Sequence, residues 1–399
     1  MLTNNHSANV NANLCTAARS LILLVGTITS NSWALEIGTL TTIVPSENLP
    51  SEATVKTSNN NLDVVFHQGE LYFAWRTSTS HFASSKTLLH IVKQTATGAW
   101  QFEKTLHTGK DLREPRFLSL NGELFLYFAE LGTNPIAFQP GRTLAVKKDA
   151  AGNWGDIIDI FDNGFIPWRI NNVNGEPVMI GYRGGENIYQ GGQQSLELML
   201  LTTHNGLAWE PAFNESGVVL ESGVSETDFI VTDDYLLAVG RNEAGDDDGW
   251  GSKICRAEKQ HLADWHCVAD PRKFDSPLLL NHNDNAYLIA RRQVAYHGKY
   301  DLGWRNSSFS FQNLMYQAFY WLSPKRCAIW QVNPQTLTVD WLADLPSAGD
   351  TCFPSAIEND DGSFDIYNYS SDPEQGAHWS WIKGQLSPTQ IYKINVTFP

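Results

Sequence analysis

Charged and hydroxyl-bearing residues recur at related places along this chain, just before or just after short apolar runs. Before the runs stand Asp63, Arg113, Glu114, Arg116, Trp168, Arg169, Glu226, Asp228, Asp275 and Asp350. After them stand Arg76, His81, Glu130, Arg183, Arg241, Glu243, Arg291, Arg292 and Tyr369. Guanidinium groups suit planar carboxylate, sulfate or phosphate groups, which accept paired hydrogen bonds. Carboxylates mixed among them suit acid/base work, because their neighbours set their pKa values. Arg76, Arg113, Arg169, Arg183, Arg241, Arg291 and Arg292 are therefore candidate substrate-binding residues. Glu226 and Asp228 are candidates for a base or electrostatic partner, and His81 or Asp275 for a proton donor. Tyr369 is a candidate nucleophile or proton shuttle. The structural alternative for each group is an Arg–Asp pair that satisfies the wall of a polar channel.

These residues meet only if the elements between them form a ring. One pattern occurs six times, over 62–76, 116–127, 168–180, 228–239, 277–289 and 353–367. An apolar strand leads into a tight turn of Gly, Asn or Asp, and a second apolar strand follows, as in a β-hairpin. Trp100, Trp154, Trp209, Trp265 and Trp341 keep the same beat, at spacings of 54, 55, 56 and 76. A period of about 50 residues with four strands per unit marks a β-propeller. The sequence thus predicts an all-β, six-bladed propeller over 35–399, with two β-sandwiches as the rival. The long last interval holds an insertion near 296–322, rich in Trp, Tyr and Phe, expected to overhang one face. No segment reads as a convincing amphipathic helix. Residues 390–396 and 37–44 are expected to supply outer strands that close the ring. In each hairpin the first strand starts, and the second ends, on one rim, so the charged groups should share a central mouth.

Composition narrows the classes. The chain has 399 residues, 42% hydrophobic and 12% aromatic, with formal charge -15. That excludes disordered, collagen-like and coiled-coil chains. An acidic chain without a basic run does not suit nucleic acid. Residues 1–34 read as a secretory signal. Arg19 precedes an apolar run over 20–30, and Ser32-Trp33-Ala34 offers small residues around a cleavage after Ala34. The run is too short to span a bilayer. A secreted or periplasmic location follows. Cys255, Cys267, Cys327 and Cys352 then remain, and an even count in an exported chain favours disulfides. Cys255 with Cys267, on adjacent strands, leaves Cys327 with Cys352. Asp246-Asp247-Asp248-Gly249 lacks the alternating ligands of a calcium loop and reads as a solvated turn. No metal or cofactor motif occurs.

The Trp-closed turns resemble degenerate Asp-boxes, S-x-D-x-G-x-x-W, of the sialidase superfamily. In Thr202-Thr203-His204-Asn205-Gly206-Leu207-Ala208-Trp209 the Gly and Trp are in place, with Thr and His at the Ser and Asp positions. Asp149 and Trp154 keep the Asp-to-Trp spacing. Ser225-Glu226-Thr227, with Arg241 fifteen residues after the Glu, is similar to the sialidase segment that carries a glutamate and a carboxylate-binding arginine. Arg291 or Arg292 falls where another arginine of that triad is expected. The chain departs from the family where Arg-Ile-Pro is expected, at Asn61, Leu62 and Asp63, and where Phe353 replaces the nucleophilic tyrosine. His81 lies near the place of the acid/base aspartate. The resemblance implies a sialidase-like propeller acting on an acidic or polyhydroxylated glycan as a glycoside hydrolase. A polysaccharide lyase, and a non-catalytic propeller that binds glycan or protein, are the alternatives. The partner is a glycan or other anionic small molecule.

Overall fold

In a computed structural model, which describes residues 34–186, 188–189, 195–374 and 379–399, six antiparallel sheets follow one another along the chain. The leader reading falls on residues 1–33, outside the described residues. The first blade runs Ser58–His67, Glu70–Ser78, Leu88–Gln94 and Trp100–Leu106 from its inner to its outer strand. The next four start at Asp111–Leu120, Ile166–Val173, Val224–Val231 and Asp275–His282. The sixth is built from Ser355–Glu358, Phe364–Ser370 and Gln390–Thr397. Glu36–Ile37 and Thr41–Val44 both pair with Gln390–Thr397, so the two ends of the described chain share one blade. This is the closure expected of 37–44 and 390–396.

Why six sheets hold a ring is visible at the seams. Each blade buries Val, Ile, Leu and aromatic residues against the next, in clusters that continue from blade to blade. Polar side chains then fix the register. The Asp63 carboxylate accepts from Ser355 Oγ of the sixth blade at 2.7 Å and from the Phe117 amide of the second at 2.8 Å. Arg116 Nε donates to the Trp168 carbonyl. Asn171 Nδ2 donates to the Phe229 carbonyl at 2.6 Å. Asp228 Oδ2 accepts from the Leu279 amide at 2.7 Å, and Arg291 Nε donates to the Thr351 carbonyl at 2.5 Å. Backbone groups on first strands face the axis rather than another strand, so side chains must satisfy them.

The outer turns behave as the sequence pattern suggests, with one shift. Thr203 Oγ1 accepts from the Gly206 amide at 3.0 Å and donates to the Ala208 carbonyl at 2.6 Å. Asn205, one residue after His204, takes the aspartate's part: its Oδ1 accepts from the Leu207 and Ala208 amides. Cys255–Cys267 and Cys327–Cys352 are disulfides, the pairing expected. Lys253 Nζ lies against both Asp246 and Asp248 and neutralises that acidic turn.

The insertion differs from expectation in its secondary structure. It forms a helix, Phe309–Leu322, ended by Ser323 and Pro324. Asn313, Tyr316 and Tyr320 give it a buried stripe at helical spacing. The opposite face still exposes Phe311, Leu314, Trp321 and Leu322. Apolar residues on both faces are what hid the helix from an amphipathicity argument.

The seam at Asp228 gives a test. Asp228→Ala removes the acceptor for the Asn171 amide and the Phe229 and Leu279 backbone amides. Urea unfolding should show a loss of about 2–4 kcal/mol with an unchanged m-value. An unaltered midpoint would mean the seam does not depend on this carboxylate.

Candidate functional site

The first strands share a defect at the mouth. Their pairing with the second strand slips between Asn60 and Leu62, Arg113 and Arg116, Pro167 and Arg169, Val224 and Thr227, and Asp275 and Leu278. Such bulges re-aim side chains. Within them Asn61, Glu114 and Ser276 hold φ of 40°, 52° and 50°. This left-handed backbone costs a non-glycine residue of the order of 1 kcal/mol, and it persists where the surroundings impose it. The strained residues then bond to one another's neighbourhood: Asn61 Nδ2 donates to Glu114 Oε2 at 3.0 Å, and Ser276 donates to Glu226 Oε2 through its amide at 2.7 Å and its hydroxyl at 3.1 Å.

Around these bulges most of the sequence-predicted residues meet. Arg241, at the end of Tyr235–Asn242, is clasped by three carboxylates: Glu226 at 2.5 Å, Glu243 at 2.9 Å and Asp275 at 3.0 Å. These acids push the Arg241 pKa far up against burial, which alone would lower it. Against burial, Arg241, Lys273 and Arg291 hold Asp275 below the usual carboxylate range. On the opposite side Asp111 joins Arg76, at 2.8 Å, to Arg113, at 2.6 Å. Arg113 also donates to the His81 carbonyl at 2.5 Å.

His81, Asp350 and Tyr369 form a third group. Asp350 Oδ2 lies 2.5 Å from His81 Nδ1, and its Oδ1 accepts from the Tyr369 hydroxyl at 2.8 Å. Burial holds the imidazole below its usual range, with Arg113 and Arg76 acting in the same sense and Asp350 opposing. A neutral ring that gives Nδ1–H to Asp350 keeps Nε2 as an acceptor. It is thus built as a base, not the donor expected from the sequence. Tyr369 is buried, and burial together with Asp350 pushes its phenol far up. It orients Asp350 rather than presenting a nucleophile.

The helix of the insertion closes one side of the mouth, as its expected overhang requires. Tyr320 donates to Asp275 Oδ2 at 2.7 Å and accepts from Arg291 Nη1 at 2.8 Å. Its ring lies under the cations of Lys325, at 4.1 Å, and Arg241, at 5.6 Å. Burial lowers Lys273 to about 8 and Lys325 well below its usual value. Among the side chains that stay partly open are Arg113, 17% exposed, Glu226, at 12%, and Arg241 and His81, at 11% each. Glu114 is half-buried beside them. Burial drives the Glu114 carboxyl up to about 7, and nearby Glu226 adds to that against the pull of Arg116 and Arg113.

Four sequence-predicted site residues lie elsewhere. Arg292 follows Arg291 in one strand, so it points to the opposite face; it pairs with Asp344 on the outside at 2.6 Å. Arg183 follows buried Tyr182 in the same way and pairs across the strands with half-exposed Glu197. Asp228 sits below the mouth and serves the seam already described. Arg169 runs from the third blade to the Pro277 and Pro354 carbonyls of the fifth and sixth, at 3.1 and 2.8 Å. Phe353 is beneath it, packed between the Arg116 guanidinium at 4.5 Å and the Trp168 ring at 5.3 Å. It plugs the axis.

Sequence reasoning placed Glu114, Glu243 and Asp350 on the rim but gave them no role. Tyr320, Lys273 and Lys325 were not singled out. The Glu114-Pro115 step inside a strand was a legible sign of a bulge. The burial that tunes Glu114 comes from other blades and has no local signal.

No family profile and no curated protein matches the chain by sequence. Solved structures do match it in shape. The phage phi92 endosialidase aligns with a TM-score of 0.56 and 9% identity, over 91% of this chain and 69% of its own. The Trypanosoma rangeli sialidase aligns at 0.52 and 11% identity; this chain covers 57% of that protein's length and is itself covered to 87%. The protein YjhT aligns at 0.54 and 11%, over 88% of this chain and all of its own. At such identities the likeness is one of fold. Six blades, Trp-closed outer turns and these structural matches together make the chain a sialidase-like β-propeller.

Proposed function

We propose that the mouth cleaves a glycosidic bond in an acidic or polyhydroxylated glycan, outside the cytosol. The observation that carries this is the pair of unlike carboxyl groups on the second and fourth blades. Glu114 is tuned to hold a proton near neutral pH. Glu226 accepts from Arg241 and from the Ser276 amide and hydroxyl. Two carboxyl groups in unlike surroundings, one beside a neutral amide and one against a guanidinium, supply a proton donor and a base for glycoside hydrolysis. The named relatives, an endosialidase and a sialidase, act on sugars and favour the same reading.

In this reading Glu114 gives its proton to the glycosidic oxygen as the bond to the anomeric carbon breaks. A water attacks that carbon from the other face and passes its proton to Glu226. With water as the attacking group the product has inverted configuration; a retained configuration would instead make Glu226 the nucleophile. Arg113 and Arg241 present their open edges to sugar hydroxyl or carboxylate groups. The disulfides and the leader expected at 1–34 agree with export. The neutral His81 ring on the Asp350 carboxylate favours a second reading, a lyase: Nε2 would take the proton α to a uronate carboxylate, the glycosidic C–O bond β to that carboxylate would break with its oxygen taking a proton from Glu114, and the product would carry a new C=C bond.

A panel of sialylated, uronate-containing and neutral glycans tests this. Glu226→Gln and Glu114→Gln should each lower kcat by about 10²–10⁴-fold. For the parent, kcat should fall as pH rises through about 7, where Glu114 loses its proton. Proton NMR of the fresh product should show the inverted anomer; an ultraviolet-absorbing unsaturated product would select the lyase. Cleavage that both variants retain would remove the proposal, and tight binding without turnover would leave a lectin.

Glu114 also makes a stability prediction. Its folded pKa lies above the ordinary glutamate value, so the folded state binds the proton more tightly than the unfolded state. The mismatch costs nothing below about pH 4 and grows as pH rises to about 7. Glu114→Gln should match the parent at pH 4 and be more stable at pH 8, by roughly 1–3 kcal/mol. Thermal unfolding at the two pH values checks the sign.

A further inference from the structure

The fifth blade breaks the pattern of the Trp-closed turns. Trp100 is buried, and Trp154, Trp209 and Trp265 are partly so. Trp341 stands at the equivalent beat but is 55% exposed. It lies directly across from Trp330 on the neighbouring strand. Together with buried Phe274 and Trp330 it lines a cavity of about 300 Å³ on the outside of the blade. That is the lower end of the roughly 300–1,000 Å³ range of small-molecule sites. Arg272, Arg292 and exposed His297 supply the polar wall.

The charges of the wall are already paired. Arg272 pairs with Asp270, at 2.9 and 2.5 Å. Arg292 pairs with Asp344 through two contacts of 2.6 Å. Asp344 also accepts from Trp341 Nε1 at 3.3 Å, which holds the indole upright at the edge. Each lining arginine is held by a carboxylate, and Arg326 reaches Asp344 as well at 3.8 Å, so no lining guanidinium stands unpaired toward a phosphate or carboxylate. The pairs do offer fixed donors and acceptors side by side, the arrangement that vicinal hydroxyl groups require. The open face of Trp341 offers an apolar plane of pyranose size.

We propose that this cavity is a second carbohydrate site, separate from the mouth, that binds one neutral pyranose ring of a glycan. The C–H face of the sugar stacks on Trp341, and its hydroxyls bond to the Arg292–Asp344 and Arg272–Asp270 pairs. The site would anchor a polymer while the mouth engages another part of it. Binding here does not depend on the mouth being catalytic.

Saturation-transfer NMR and calorimetry on the full chain, with lactose, cellobiose and diacetylchitobiose as probes, test this. At least one of these sugars should bind the parent. Trp341→Ala should weaken that binding by roughly tenfold or more, the loss expected of a stacking anchor. Arg292→Gln, which leaves the indole in place, should weaken it as well. Glu226→Gln, in the mouth, should leave it unchanged. Thermal unfolding confirms that each variant is folded. The proposal is overturned if none of the three sugars binds the parent, if Trp341→Ala and Arg292→Gln both bind like the parent, or if Glu226→Gln abolishes the same binding.

Discussion

Six strands that converge on one axis bring their polar groups together where water is scarce. An isolated charge there is costly, so each must find a partner of opposite sign or a carbonyl. The propeller meets this demand in two layers. Low on the axis Arg116 and Arg169 give their donors to carbonyls of other blades, with Phe353 and Trp168 against the guanidinium planes. Higher up, cations meet carboxylates: Arg76 and Arg113 share Asp111, and Arg241 holds Glu226, Glu243 and Asp275. The same constraint fixes the fold and equips the mouth, because neutralising a convergent ring requires acids and bases from different blades to touch.

Neutralisation is not uniform, and the exception is informative. Glu114 receives only a neutral amide from Asn61, while the arginines near it are engaged elsewhere. Its proton is therefore the cheapest way to remove its charge. The left-handed backbone at Asn61, Glu114 and Ser276 lies at the same rim. Strain, an under-compensated acid and a shielded carboxylate partner at one place are hard to explain by stability alone. Such groupings recur at functional sites, which is why the proposed function rests on this rim.

The large architecture was legible in the sequence because it rests on local signals. Turns such as Asn121-Gly122 and Asn174-Gly175 mark hairpins, and the Trp beat counts the blades. The pairing of 37–44 with 390–396 followed from which strands lacked partners. The site was legible as a neighbourhood but not side chain by side chain. Strand parity separates Arg291 from Arg292 and Tyr182 from Arg183, and bulges of unknown position shift that parity along the first strands. Arg241 was found because its strand ends without such a shift before it. Glu114 could not be ranked, since its environment is made by Asn61 of one blade and Glu226 of another.

Tyr320 shows how an insertion changes a shared fold. The sixth blade presents Phe353 to the axis and Tyr369 to Asp350, and a further phenol reaches the charged ring from a helix between strands of the fifth blade. Its hydroxyl bridges Asp275 and Arg291, so it satisfies hydrogen-bonding groups that the blades leave open. Bound there, it also fills space that a ligand would otherwise share with Arg291. The open part of the mouth is displaced toward Arg113, Glu114 and Glu226, away from the fifth and sixth blades. The exposed polar groups are thus set by what the insertion leaves uncovered, and a propeller of the same shape without that helix would expose a different set.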